Sequence, residues 1–350
     1  MSPLLNGCNL APPSPQNRPS FFVLSINGLK GELKLGRTMA RMRQPDAIAQ
    51  DQNGIRTRHR IVSSRNEGSN AVYSRLPGAI LRAILVVLML VTPSVMLPLS
   101  SVDASQIVTL VAIFAAGFTI VEYSASSPSL VEFRSAPPFN RLRFGALLMT
   151  VMTLSIIFRE TNQASTITMF LQAAGERIGV SIDFPYSPVR LLLLVMPADM
   201  SIAELERART AAGLSYLISL MSLGIFVILL RLRGWPRQTG AFNVWVNLPT
   251  FDPTAGGDVV ARLNRDSQIN LILGFLLPFI VPAIVQLMTR FIGPIPLDDP
   301  QTLIWAVTAW AFLPASLLMR GVALSRVAQM IYVQRKRAYA KAAADGLLPA

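Results

Sequence analysis

The sequence predicts an all-α, polytopic integral membrane protein with six transmembrane helices, and three observations carry that prediction. Hydrophobic residues make up 52% of the 350 positions and charged residues only 15%, with a mean hydropathy of +0.46. A soluble domain carries about 25% charged residues, so this chain lacks the polar surface that water requires. The apolar residues are also gathered into runs long enough to cross a hydrocarbon layer roughly 30 Å thick. Finally, most of the net charge of +13 lies outside those runs.

Residues 1–75 come first and are rich in Pro, Ser, Asn and Arg without a sustained period of 2 or 3.6, the pattern of a largely disordered basic tail. Phe21, Phe22, Val23 and Leu24 form too short a patch for a signal-peptide core. Met39 and Met42 lie downstream of it and offer alternative starts, which the N-terminal mass of the purified protein would distinguish.

The transmembrane region, residues 76–319, contains six apolar runs: Ile80 to Leu99, Ile107 to Tyr123, Phe144 to Phe158, Ala211 to Leu230, Ile269 to Ile292 and Leu303 to Met319. Six such runs in one chain favour membrane spans over buried core helices. An even number of spans puts both termini on one side. Before Leu76, eleven Lys and Arg face four acidic residues, and from Arg320 onward six face Asp345, so the two tails hold 12 of the 13 net charges. By the positive-inside rule both tails are expected in the cytoplasm of a bacterial inner membrane. The links agree: Arg134, Arg141 and Arg143 follow the second run, and Arg231, Arg233, Arg237, Arg262 and Arg265 follow the fourth, whereas Asp103, Asp298 and Asp299 occupy the opposite side.

The segment at about 159–210 is expected outside the cytoplasm and structured. Ile167, Phe170, Leu171, Ala174 and Ile178 recur at helical spacing and predict an amphipathic helix lying along the membrane surface. Leu191 to Met196 is too short to span and reads as a strand, an interfacial patch or a re-entrant turn. Ser201 and Glu204 have the spacing of a capping box, marking a helix that begins outside the bilayer and enters the fourth span. In the loop at about 231–267, alternation through Phe242, Val244, Val246 and Leu248 predicts an extended segment, and Asp258 an N-cap for the fifth helix. Residues 320–350 predict a basic surface helix continuing from the sixth span.

Composition also bears on chemistry. Cys8 and His59 are the single cysteine and single histidine, both in the N-terminal tail, which argues against disulfides, Cys/His zinc sites, paired haem histidines and His-dependent triads. The sequence contains no Walker, dinucleotide-fingerprint or metalloprotease motif. No catalytic residue, metal or cofactor is therefore expected. Aromatic residues are absent between Phe22 and Tyr73, so the basic tail lacks stacking platforms for nucleic acid, and contact with anionic lipid is the expected duty.

Two sets of residues remain as candidates. Pro278, Pro282 and Gln286 in the fifth span and Pro314 in the sixth mark positions where kinked or broken helices would expose carbonyls along a transport path, although proline is also common in ordinary membrane helices. Ala112, Ala116 and Gly117 in the second span permit close helix packing, internal or against a partner. Arg82, Glu122 and Arg290 fall at span ends and read as boundary residues. The expectation is a non-catalytic subunit or assembly factor of a membrane complex, with a transporter or channel at the Pro-broken fifth and sixth helices as the alternative.

Overall fold

The structure is a computed structural model that describes residues 75–97, 102–126, 128–159, 165–232, 234–235, 242–252, 254, 256–293, 297 and 299–346. The chain divides into two units, and every described residue belongs to the second, Arg60–Ala350. The basic tail (1–74) with Cys8, His59 and Met39 lies outside the described residues, as do Ser100, Ser101, Glu160, Arg233, Arg237, Pro253 and Asp298.

The described residues form an all-helical protein with six helices long and apolar enough to cross a membrane: α1 (Arg75–Met96), α2 (Val102–Ser124), α3 (Phe139–Phe158), α6 (Ile202–Leu232), α8 (Val259–Ile292) and α9 (Pro300–Ala344). Three shorter helices, α4 (Thr166–Ile182), α5 (Pro188–Leu193) and α7 (Val244–Asn247), occupy the connections. At 1.5 Å per residue, the 31 residues of α6 extend about 46 Å and the 45 of α9 about 68 Å. Both outreach a hydrocarbon layer of roughly 30 Å, so their ends stand clear of it.

Buried side chains collect in two clusters, one at each end of the bundle. Phe133, Phe139, Phe226, Leu230, Trp235, Leu263 and Met319 belong to the first, which joins the start of α3, the end of α6, the start of α8 and the middle of α9. Three of its aromatic pairs meet tilted or edge-on at centroid distances of 4.6–5.6 Å. Because Arg143, Arg231, Arg262 and Arg320 lie on the same helix portions, this is called the arginine-rich end. Leu154, Phe158, Ala208, Leu214, Ile304 and Trp310 belong to the second cluster, which joins the end of α3, the first half of α6 and the start of α9.

Glycine sets the closest helix approaches. A Cβ on Gly274 would stand 2.8 Å from the Pro314 carbonyl oxygen, and one on Gly321 would stand 2.9 Å from that of Ser267, so neither position admits a side chain without separating α8 from α9. The Ser267 hydroxyl donates to the Gly321 carbonyl at 2.7 Å in the same antiparallel register. α4 meets α6 in the same way: a Cβ on Gly213 would reach the Gly179 Cα at 2.7 Å.

That contact covers one face of the expected amphipathic helix. α4 forms where its periodicity predicts, but it turns Gly175 and Gly179 toward α6, half-buries Leu171 and Ile178, and leaves Ile167 and Phe170 exposed. The six residues read as a strand, patch or re-entrant turn are the second half of α5 and the turn after it, with Val189, Leu192 and Val195 in the second core cluster. The segment expected to be extended instead contains the single helical turn α7, because Leu248 N–H donates to the Val244 carbonyl at 2.7 Å and Asn247 N–H to that of Asn243 at 3.1 Å. Both predicted caps are present. Glu204 N–H donates to Ser201 Oγ at 3.2 Å while Ser201 N–H donates to the Glu204 carboxylate at 2.8 Å, and Asp258 accepts from Ala261 N–H at 3.1 Å.

Candidate functional site

The most concentrated polar chemistry sits at the arginine-rich end, where loop residues 128–138 fold back over the ends of four helices. The fold-back starts at Glu122 in the last turns of α2, a residue only 3% exposed. Its carboxylate accepts from Ser129 N–H at 3.0 Å, from the Ser129 hydroxyl, and from the N–H groups of Leu130 and Val131 at 3.3 Å each. Donors in that number favour the charged form of a carboxylate at a span end. Arg134 closes the arrangement by donating to the carbonyls of Glu122 and Ala125 at 2.7 Å each, satisfying groups that the end of α2 leaves free.

Three residues further along the loop from Ser129, Glu132 makes the principal ion pair. Arg320 of α9 donates to it through both Nε and Nη2, at 2.7 and 2.8 Å, in the two-pronged geometry that suits guanidinium and carboxylate. The side chains are 32% and 11% exposed for Arg320 and Glu132 respectively, so water reaches the pair only in part. Arg320 Nη1 also donates to Asn270 Oδ1 of α8 at 3.0 Å, and the Thr250 hydroxyl donates to Glu132 Oε1 at 3.0 Å. One charged pair thus ties together loop 128–138, the segment 242–252, α8 and α9.

Asn247 supports the loop from the other side. Its carbonyl accepts from Phe133 N–H at 2.7 Å and its side-chain oxygen from the N–H and hydroxyl of Ser135 at 3.1 and 2.9 Å. Phe133 has φ of 52°, a left-handed conformation costing a bulky residue about 1 kcal/mol, and the Asn247 bond with the buried aromatic packing holds it there. Beside this node Arg143 lies over the rings of Phe139 and Phe312, at 5.1 and 5.9 Å from their centroids, with its Nε buried away from any hydrogen-bond partner.

The node is a latch in chemical terms. It contains charge and hydrogen bonds, among them hydroxyl donors to both carboxylates, Ser129 to Glu122 and Thr250 to Glu132. Among the described residues no three His, Cys, Asp or Glu side chains come together as a metal ligand set.

The proline candidates lie elsewhere, at the contact between α8 and α9. Pro278, Pro282 and Pro314 are buried, and α8 and α9 each continue as helix through them. Pro282 has no N–H to give to the Pro278 carbonyl four residues earlier, and the Trp310 indole N–H of α9 takes that place at 3.0 Å. Trp310 in turn stacks on Tyr216 of α6 at a centroid distance of 5.7 Å. Gln286 is not brought to this contact; it sits on the exposed face of α8.

Of the small residues in α2, Ala112 is buried and Ala116 half-buried, but a Cβ on Gly117 would meet nothing within 4 Å. The close contacts expected at Gly117 are made instead by Gly175, Gly179, Gly213, Gly274 and Gly321 on other helices. Arg82 donates to the Gly78 carbonyl at 2.6 Å and lies 4.7 Å from the Tyr123 ring centroid, joining α1 to α2, while Arg290 is exposed near the end of α8.

Glu132, Asn247, Asn270 and Trp310 did not emerge from the sequence as site residues. Glu132 and Arg320 carry opposite charges at the edges of apolar runs, a pattern compatible with pairing, but their 188-residue separation gives no sign of it. Comparison with protein-family models, with curated proteins and with solved structures finds no match.

Proposed function

We propose that the chain is a non-catalytic subunit or assembly factor of a membrane complex in a bacterial inner membrane, with both tails in the cytoplasm. The observation that carries this reading is the surface of α2. Ile107, Leu110, Val111, Ile113, Phe114, Phe118 and Val121 are exposed around it, and none of its described side chains belongs to either core cluster. Only 11% of its most apolar stretch is buried within the chain. Lipid satisfies apolar surface, but Gly117 offers a backbone approach like those used inside the bundle at Gly213, Gly274 and Gly321. A helix of a partner subunit fits that face.

The transport alternative has less support. It draws on carbonyls freed by proline, and the one freed by Pro282 is already bonded to Trp310. The partners in this reading are other membrane subunits and the lipid bilayer, with anionic lipid at the basic tails and no role for nucleic acid.

The test is purification of the full chain from native membranes in mild detergent, as wild type and as Gly117→Leu. A stoichiometric partner retained by the wild type and lost from Gly117→Leu supports the proposal. A wild-type chain that runs alone overturns it. Loss of a transport phenotype in Pro278→Ala, Pro282→Ala and Gln286→Ala variants that remain folded would favour the alternative.

A further inference from the structure

Between α6, α8 and α9, at the arginine-rich end, lies a groove of about 320 Å³, within the size range of small-ligand sites. Its lining is ordered by depth. Val227 and Leu230 of α6, Leu271 of α8 and Val322 of α9 form the apolar wall. One helical turn nearer the end of the bundle on the same faces come Arg231 of α6, four residues after Val227, and Ser325 and Arg326 of α9, three and four residues after Val322.

Neither arginine has a carboxylate partner among the described residues. Arg326 Nη1 donates to Gln329 Oε1 at 2.7 Å, a neutral bond that leaves its charge uncompensated. Two guanidinium groups and a hydroxyl therefore share one mouth without an internal anion among the described residues, above an apolar wall that runs toward the middle of the helices.

We propose that this groove binds one anionic phospholipid, its phosphate held by Arg231, Arg326 and the Ser325 hydroxyl and its acyl chain laid along Val227, Leu271 and Val322. Guanidinium groups match phosphate oxygens in pairs, and the polar-to-apolar order of the lining is that of a phospholipid from headgroup to tail. A free phosphate would use the mouth and leave the wall uncovered. The site is distinct from the general attraction of basic tails to a charged surface, because it places two arginines from separate helices around one headgroup. It does not depend on the chain being a subunit of anything.

Native mass spectrometry of the full chain, with phosphatidylglycerol and phosphatidylcholine of identical acyl chains, tests it. Wild type should retain one phosphatidylglycerol in preference to phosphatidylcholine. The double variant R231Q/R326Q should bind it about thirtyfold more weakly, the loss expected for two lipid-facing arginines. R337Q/K341Q, which removes the same charge from the exposed end of α9, should retain it like wild type. Val322→Trp should weaken retention with both arginines in place, because it fills the wall and leaves the charge unchanged. Equal retention by R231Q/R326Q, equal binding of phosphatidylcholine, or displacement of the lipid by millimolar inorganic phosphate would overturn the proposal.

Discussion

Trp310 and Pro282 form a matched pair whose logic is chemical: one residue removes a hydrogen bond from α8 and the other supplies its replacement from α9. Trp310→Phe keeps an aromatic side chain, smaller than the indole, and removes the donor, leaving the Pro278 carbonyl unsatisfied among apolar atoms. The expected cost is about 1–3 kcal/mol. Restoring the donor on the other side, with Pro282→Ala in the Trp310→Phe background, should recover part of that loss, because an alanine N–H at 282 can reach the Pro278 carbonyl. Thermal unfolding of the four proteins of this double-mutant cycle in detergent measures the coupling, and additive effects would show that the two residues act independently. Glu132 and Arg320 follow the logic of a partly buried charge pair. Glu132→Gln should destabilise by about 1.5–3 kcal/mol, since it weakens two charge-assisted hydrogen bonds, whereas adding Arg320→Gln should cost less than the sum of the single changes. The same thermal measurement applies, and a strictly additive double variant would mean that the pair contributes no coupling.

Helices carry their own termination signals, and this is where the sequence was most legible. Ser201, Glu204 and Asp258 cap the helices they were expected to cap because capping is a contact over three residues and needs no distant partner. α7 shows the limit. Alternating Phe242, Val244 and Leu248 suggested an extended segment, but loop residues 128–138 supply partners that favour a compact turn, with Asn247 donating through Nδ2 to Asn243 and accepting from Ser135. Asp258 adds a long-range contact to its local one: Arg335 of α9 donates to the carboxylate whose other oxygen caps α8. The Arg335 bond first, and the Ala261 N–H second, hold Asp258 below the ordinary aspartate range. Because its folded pKa is depressed, its stabilising contribution is present above the unfolded value of about 3.9 and is lost as pH falls through the folded value. Asp258→Asn retains a cap and lacks the charge. Thermal midpoints recorded from pH 6 down to pH 3 should fall more steeply for wild type than for Asp258→Asn, and parallel curves would remove Asp258 as a source of the acid sensitivity.

For the molecule as a whole, the alternation of ends can be followed from contact to contact. Arg82 meets Tyr123 at the arginine-rich end, while Gln301 of α9 donates to Ser94 of α1 toward the other end at 3.1 Å. Antiparallel α8 and α9 then run from Ser267 beside Gly321 to Pro278 beside Trp310. If the positive-inside rule governs this chain, reporter fusions after Arg233 and within residues 176–183 should report opposite sides of the membrane, and a fusion after Ala350 should match the first. Fusions at Arg233 and residues 176–183 that report the same side would rule out the proposed orientation.

The sequence by itself determined the all-helical class, the six apolar spans, two of the caps and the concentration of charge at the tails. Each of these depends on residues within a few turns of one another, or on composition alone. Only the tertiary structure decided which glycines bring helices together, that Trp310 completes the helix Pro282 would have interrupted, and that Glu132 meets Arg320 across 188 residues. Those contacts join helices distant in the chain, and hydrophobic periodicity reports which face is apolar without saying which other face will cover it.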